Sequence, residues 1–458
     1  MQNQITEGPI LRPLLFYFFP ILLGTFFQQF YNTVDAIIVG NFVGTAALGA
    51  VGGATSVIIN FLVNLFVGLS SGATVVIARY YGARQGEELR KAVHTAAAIA
   101  LTAGVLITAL GLVLADPVLR LMGTPSDVMG YAQVYLKVYF SGTIASFIYN
   151  MGSSVLRAVG DTKRPLYFLI AACMTNIVLD LVFVVAFRWN VFGAALATVL
   201  SQVVSAVLVT LSLVRADTVY RIELKAIRFY RDKLRMILAI GLPAGIQSNM
   251  YTLANMFLQS SINSFGTVAV ASWTAFGKVD GFYWMISGAF GVSITTFVSQ
   301  NFGAGKYDRI RRGVTVCLGV TFAVTAGVSL LYCVGAGPLL RLFSSDLAVI
   351  DLGMRMMWFT SPFYFTFVCI EIFSGAARGK GDSLRPTLLT CFGVCVLRVA
   401  WVLVVLPHFP VLETVLVSYP ISWVVTSILY LVYYFRGNWL RRGIQRAGLP
   451  PEETAVVK

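Results

Sequence analysis

The chain has 458 residues, 57% of them hydrophobic and 12% charged, with a formal net charge of +14. Soluble domains run nearer to about 45–50% apolar and about 25% charged, so lipid must be the solvent for most of this surface. A soluble enzyme, a nucleic-acid binder and a disordered tail protein are excluded as readings of the whole chain.

The N-terminal stretch MQNQITEGPILRPLLFYFF has neither a basic leader region nor a small-residue cleavage site, so the first apolar run reads as a retained span. Apolar runs separated by short charged or Gly/Pro-rich breaks predict twelve transmembrane helices, at 13–38, 46–76, 92–115, 131–156, 164–187, 191–214, 236–263, 268–298, 313–336, 353–376, 386–406 and 411–435. A closed barrel would need period-two alternation. Runs such as Val75-Val76-Ile77-Ala78 and Leu429-Tyr430-Leu431-Val432 do not alternate. The fold class expected is therefore all-α and integral to the membrane.

Twelve spans put both termini and every even-numbered loop on one side. That side gathers 27 of the 34 Lys and Arg residues, including seven between Arg215 and Arg235 and five in the tail from Arg436 to Lys458. The other side has Arg120, Arg188 and Arg341, and Lys137, Lys278, Arg355 and Arg398 fall within spans. Such a bias predicts cytoplasmic termini in the plasma or inner membrane, with the surplus charge facing anionic lipid and not nucleic acid.

The two halves repeat. Pro20 matches Pro243, Gly44-Thr45 matches Gly266-Thr267, and Gly82-Ala83 matches Gly303-Ala304. The loop Arg157-Ala-Val-Gly160-Asp161-Thr-Lys-Arg164-Pro165 matches Arg378-Gly-Lys-Gly381-Asp382-Ser-Leu-Arg385-Pro386. Six spans per half is an even number, so the halves are parallel repeats. The expected organisation is an N-terminal lobe at 1–214, a basic linker at 215–235, a C-terminal lobe at 236–435 and a tail at 436–458. Two six-helix lobes with a cleft between them suit alternating access. The RxxGDxxRP loops read as turns, with Gly for the bend and Asp161 or Asp382 as a helix cap.

An ionisable group at the bilayer centre costs at least about 2.5–3.5 kcal/mol on insertion scales, which makes each one a functional candidate. The second half holds Lys278, Asp280, Glu371 and Arg398, two acids and two bases that can neutralise one another as ion pairs. The first half holds Asp35 and Asp180 with no basic residue at matching depth, which invites a cation, H+ or Na+. Gln28, Asn32 and Asp35 share one helix face, as do Asn176 and Asp180, and Thr198 and Gln202, together supplying hard oxygen ligands. Further polar stripes comprise Asn60 and Asn64, then Tyr139, Thr143, Ser146 and Asn150, then Gln247, Tyr251, Asn255 and Gln259. Among the aromatics, Phe147, Trp273, Phe282, Tyr283, Trp284 and Phe363, with Met285, are candidates to line a cavity for organic cations. The six cysteines lie in apolar runs without CxxC spacing, and His94 and His408 are the only histidines. A disulfide framework, a zinc site and a Ser-His-Asp triad are therefore not expected.

Taken together, Pro20 followed by Asp35, the Asn176-x-x-x-Asp180 pair, Thr198 and the twin loops resemble the MATE (multidrug and toxic compound extrusion) transporters, in particular the DinF-like and NorM-like bacterial branch. The resemblance covers about 13–435. It implies a V-shaped pair of six-helix bundles and antiport of a drug against H+ or Na+. It implies that Asp35, Asn176, Asp180 and Thr198 form the N-lobe cation site, that no other metal is held, and that Pro20 marks a bend in the first span. Gln28, Asn32, Gln202, Asn150 and Tyr139 would support that site. NorM-type members carry a coupling carboxylate in span 7, but here span 7 reads GLPAGIQSNMYTLANMF and has no acid. Their span-10 Asp also finds no clear match, Glu371 lying about a turn away.

The expected function is a secondary active exporter of organic, cationic compounds, needing no cofactor beyond the coupling ion. Its expected partners are small molecules and membrane lipid, and its expected form is a monomer. The alternative is a lipid-linked precursor flippase of the wider superfamily, against which twelve spans and an acidic N-lobe speak. A membrane enzyme would need a clustered catalytic set, and two distant histidines do not supply one.

Overall fold

A computed structural model describes residues 5–436 and 439–447. Lys458 and the rest of the tail beyond 447 lie outside the described residues, as do the side chains of Arg442 and Arg446. Twelve long helical segments occur among the described residues, without a β-strand: α1 (Leu11–Phe42), α2 (Thr45–Gly82), α3 (Gly86–Leu121), α4 (Ser126–Ser141 continuing as Thr143–Ala158), α5 (Lys163–Ala186), α6 (Asn190–Val214), α7 (Arg231–Asn263), α8 (Thr267–Gly303), α9 (Tyr307–Arg341), α10 (Leu347–Gly379), α11 (Leu384–Val405) and α12 (Leu412–Arg436). Each contains one predicted span. Ten are long and apolar enough to cross a membrane by composition alone. The other two, α4 and α7, carry the longest polar stripes. A thirteenth, short helix, α13 (Trp439–Ala447), follows.

The duplication is visible in the backbone. Gly44 (φ 117°) and Gly266 (φ 91°) start α2 and α8, and Gly160 (φ 97°) and Gly381 (φ 95°) make the twin loops turn. These left-handed conformations favour glycine because a Cβ would clash there. In the first loop Asp161 accepts from the Arg164 backbone N–H at 3.1 Å and pairs with its Nε at 3.2 Å. In the second, Asp382 faces Lys380 at 3.4 Å and Arg385 at 3.6 Å. Both loops are structural, as their sequence suggests. Helices α4 and α10 break at equivalent places, Gly142 and Ser361–Phe363. Helices α5 and α11 each contain a π-helical turn, Leu181–Ala186 and Cys391–Val396.

The chain forms two compact units, one of residues 19–245 and one of residues 1–18 with 246–458. The boundary falls inside α1 and inside α7, close to Pro20 in the first and Pro243 in the second. A proline within a helix removes one backbone donor and weakens that turn, so both crossings occur where the helix is least rigid.

In the first unit, α2, α3, α4 and α6 bury Phe66, Val76, Val93, Phe147 and Val209 together with Ile237 of α7. Phe147 stacks on Phe66 at 3.6 Å, so it is core and not cavity wall. Gly68 and Gly72 of α2 meet Gly241 and Gly245 of α7 backbone to backbone: a Cβ on Gly68 would lie 2.3 Å from the Gly245 nitrogen. Small residues four apart are the means by which helices approach closely in lipid. The linker folds onto this unit. Ile222 enters the core, the Glu223 N–H donates to His94 Nε2 at 3.1 Å, and Arg90 pairs with the Glu223 carboxylate. In the second unit the N-terminal segment is held by its backbone carbonyls. Arg309 donates to Ile5, Glu7 and Gly8, Asn301 to Ile5, and Lys306 to Thr6.

The glycine crossing yields a stability prediction. Gly68→Val should lower the stability of the purified protein by about 1–3 kcal/mol or more, since backbone and not a flexible side chain opposes the added atoms. Gly319→Ala, with nothing within 4 Å of the new Cβ, should leave it unchanged or higher. Thermal unfolding followed by size-exclusion chromatography checks both; equal midpoints for the two variants would contradict the close crossing. His94→Phe should cost about 1–3 kcal/mol by leaving the Glu223 N–H without its acceptor, read in the same assay.

Candidate functional site

The first unit brings Asp35 and Asp180 together from α1 and α5. Both are buried, Asp35 at 6% and Asp180 at 0% exposure, and their carboxyl groups lie within hydrogen-bonding reach of one another. Neither pairs with a cation among the described residues. Asp35 Oδ1 and both oxygens of Asp180 are buried without a hydrogen-bond partner, as are both side-chain polar atoms of Asn176, one turn before Asp180. Two carboxylates this close repel one another when both are charged away from water. The π turn begins directly after Asp180; such turns widen the helix and recur at functional sites.

The remaining predicted residues are arranged unevenly around this pair. Thr198 is buried and its hydroxyl donates to the Ala194 carbonyl of its own helix at 3.1 Å, which leaves its lone pairs available. Gln28, Asn150, Gln202 and Pro20 line a cavity of about 120 Å³ in the same unit. Gln202 Oε1 is buried there without a donor, and its side chain reaches Tyr139. Asn150 is engaged with Ser146 at 2.8 Å. Asn32 is exposed, makes no hydrogen bond among the described residues and does not line that cavity. Helix α1 runs through Pro20 without interruption. Sequence reasoning missed Tyr31 and Tyr135, which stand beside the two aspartates, Tyr135 stacked on Tyr139 with centroids 6.3 Å apart. The signal was present: Tyr31 precedes Asp35 by one turn, and Tyr135 precedes Tyr139 by one turn.

The second unit corrects an expectation. Lys278, Asp280, Glu371 and Arg398 do not neutralise one another. Lys278 is exposed, because it sits two residues from Asp280 on α8 and therefore on a different face. Asp280 accepts from the Tyr364 hydroxyl and from Trp284 Nε1 at 2.5 Å. Glu371 faces Arg378 at 3.9 Å, and Arg398 rests on the Tyr419 ring at 3.9 Å. Asp280, Glu371 and Arg398 nevertheless line one cavity of about 510 Å³, with Trp273, Trp284, Tyr419 and Trp423 in its walls. Of the other aromatics expected to line a cavity, Tyr283 is core, stacked on Tyr364 at 4.0 Å, and Phe282 and Phe363 are exposed. The stripe on α7 is used as its spacing suggests: Tyr251, Asn255 and Gln259 all face this cavity.

Comparison with known proteins follows the same duplication. The MatE family model matches twice, over residues 20–182 and 243–404, each match opening on one of the paired prolines. The "Probable multidrug resistance protein YoeA" of Bacillus subtilis is 27% identical over 96% of this chain and 96% of its own length. The "Probable multidrug resistance protein NorM" of Thermotoga maritima is 25% identical, covering 91% and 90%. Among solved structures, a MATE protein in the bent conformation superposes with a TM-score of 0.90 at 24% identity, over 96% of this chain and 99% of that one. An outward-facing multidrug resistance MATE transporter of the MOP superfamily gives 0.89 at 25% identity, again over 96% and 99%. The chain belongs to the MatE family and has its all-helical fold, which makes it a multi-pass membrane transporter and not an enzyme.

Proposed function

We propose that the protein is a multidrug efflux transporter that exports organic, cationic compounds by alternating access, driven by H+ or Na+ entering at Asp35 and Asp180. The names of its relatives supply the multidrug reading. The observation that carries the coupling site is the pair itself: two buried carboxyl groups in mutual reach, with orphaned oxygens and no cationic side chain beside them. Asn176, Thr198 and the Tyr135–Tyr139 pair would complete the shell of polar atoms for the bound ion. For an ion to drive transport, its affinity must differ between the conformational states. A site that opens to water on one side and closes on the other meets that condition, because the pair binds a cation far more tightly once desolvated. The concentration of Lys and Arg on the side shared by the termini supports placing that side in the cytoplasm, in the plasma or inner membrane.

Two measurements test this reading. In proteoliposomes loaded with a fluorescent organic cation, a pH gradient or a Na+ gradient imposed alone should each be tried. One should drive efflux, and Asp35→Asn and Asp180→Asn should each reduce that efflux at least about tenfold, since an amide cannot exchange the ion. Efflux at the wild-type rate in both variants would overturn the assignment. The same variants should unfold at or above the wild-type temperature, because each removes one of two buried acids that lack a counter-charge. A midpoint several degrees lower would mean that the carboxylates are structural.

A further inference from the structure

The coupling pair accounts for the buried acids of the first unit. It leaves Arg398 in the second unit without an assigned role. Arg398 is 3% exposed and lies on α11, just after the π turn Cys391–Val396. Its guanidinium is held from one face by the Tyr419 ring and donates Nε and Nη2 to Ser422 Oγ at 3.3 and 3.1 Å. No carboxylate pairs with it among the described residues. The two acids that share its cavity are engaged elsewhere: Asp280 with Tyr364 and Trp284, and Glu371 with Arg378. A buried guanidinium with a single hydroxyl acceptor and no counter-ion is an expensive feature to keep in a membrane-spanning helix. Here it borders a cavity of about 510 Å³, large enough for a compound of drug size, with indole and phenol rings in its walls.

We propose that this cavity is a second ligand site, which takes an aromatic compound carrying a carboxylate. The carboxylate would accept from the Arg398 guanidinium, whose planar fork matches it. The ring system would lie among Trp273, Trp284 and Trp423. Arg398 offers a ligand carboxylate a donor that the aspartate pair lacks, while Asp280 and Glu371 keep acidic groups in the same walls, so the site extends the range of the protein to molecules whose acidic end can reach Arg398. Serine and tyrosine orient the guanidinium; they do not neutralise it, and the ligand supplies the missing charge.

Calorimetric titration of the purified full-length protein with 1-naphthoate and with its neutral isostere 1-naphthamide tests the proposal. Saturable binding is expected, with the acid at least tenfold tighter than the amide. Arg398→Gln should abolish that preference while leaving amide binding within about twofold, and Arg398→Lys should retain part of it. Asp35→Asn should leave the preference intact, which separates this site from the coupling pair. The proposal falls if the amide binds wild-type protein as tightly as the acid, if neither binds saturably, or if Arg398→Gln keeps the preference for the acid. Should Arg398→Gln fail to fold, the lysine variant and the acid-to-amide ratio of the wild-type protein decide: no preference in the wild type, or an undiminished one in the lysine variant, refutes it.

Discussion

A carboxylate in hydrocarbon is tolerated only if something answers its charge. Asp35 and Asp180 answer one another badly. Each is a like charge to its neighbour, no arginine or lysine pairs with either among the described residues, and Asn176 one turn away leaves its own polar atoms unused. The rest of the first unit serves to keep this arrangement dry and in place. The glycine crossing of α2 and α7 holds the bundle tight, the cluster around Phe66 and Phe147 fills it, and the π turn at Leu181 sets Asp180 at a widened point of α5. A folded chain that spends stability in this way keeps two acids whose charge, on the proposed reading, the coupling cation answers.

The two halves began from one plan and diverged at the positions where charge matters. The offset of 221 set by Pro165 and Pro386 brings Asp180 onto Trp401, and it brings Ile177 onto Arg398. Trp401 spends its indole N–H on the Thr414 carbonyl at 3.0 Å, a packing role. Backbone features are kept: the paired glycines with positive φ, the broken fourth and tenth helices, and the prolines at the unit boundaries; the π turns of the fifth and eleventh helices fall at different positions of the repeat. What changed is the sign and location of the buried charge. Conserving the frame while altering the charge lets one half host a pair of acids and the other a guanidinium over aromatic rings.

Much of the frame was legible because lipid imposes simple rules. Span limits follow from apolar length, and duplication from residues such as Gly44 and Gly266 whose backbone angles no other side chain adopts easily. The Asp35–Asp180 pair was legible for the same reason, since unaccompanied acids stand out against such a background. The pairing of the C-terminal charges was not. Counting acids against bases treats depth as the only coordinate, but helix faces decide contact, and Lys278 lies on the exposed face of α8 while Asp280 points inward to Tyr364 and Trp284. The π turns left no compositional trace: Leu181–Ala186 and Cys391–Val396 read as ordinary apolar helix. Nor does composition mark the seams inside α1 and α7, because a helix that passes from one packing unit to another keeps its hydrophobic character throughout.

The contrast between the two cavities bears on how one protein serves many compounds. The smaller one, about 120 Å³, is lined by polar groups such as Gln28, Asn150 and Gln202 together with apolar ones such as Ile21 and Leu169. The larger, about 510 Å³, carries many aromatic side chains, Trp273, Trp284, Tyr419 and Trp423 among them, and sets Arg398 in the same walls as Asp280 and Glu371. Indole and phenol surfaces bind flat apolar bodies without demanding a fixed hydrogen-bond pattern, so selectivity there rests on shape loosely and on charge more strictly. On the proposed reading, ion handling needs few atoms in strict positions, and these are supplied from helices α1 and α5. Separating the exacting site from the permissive one allows the walls of the second to change without disturbing the energetics of the first.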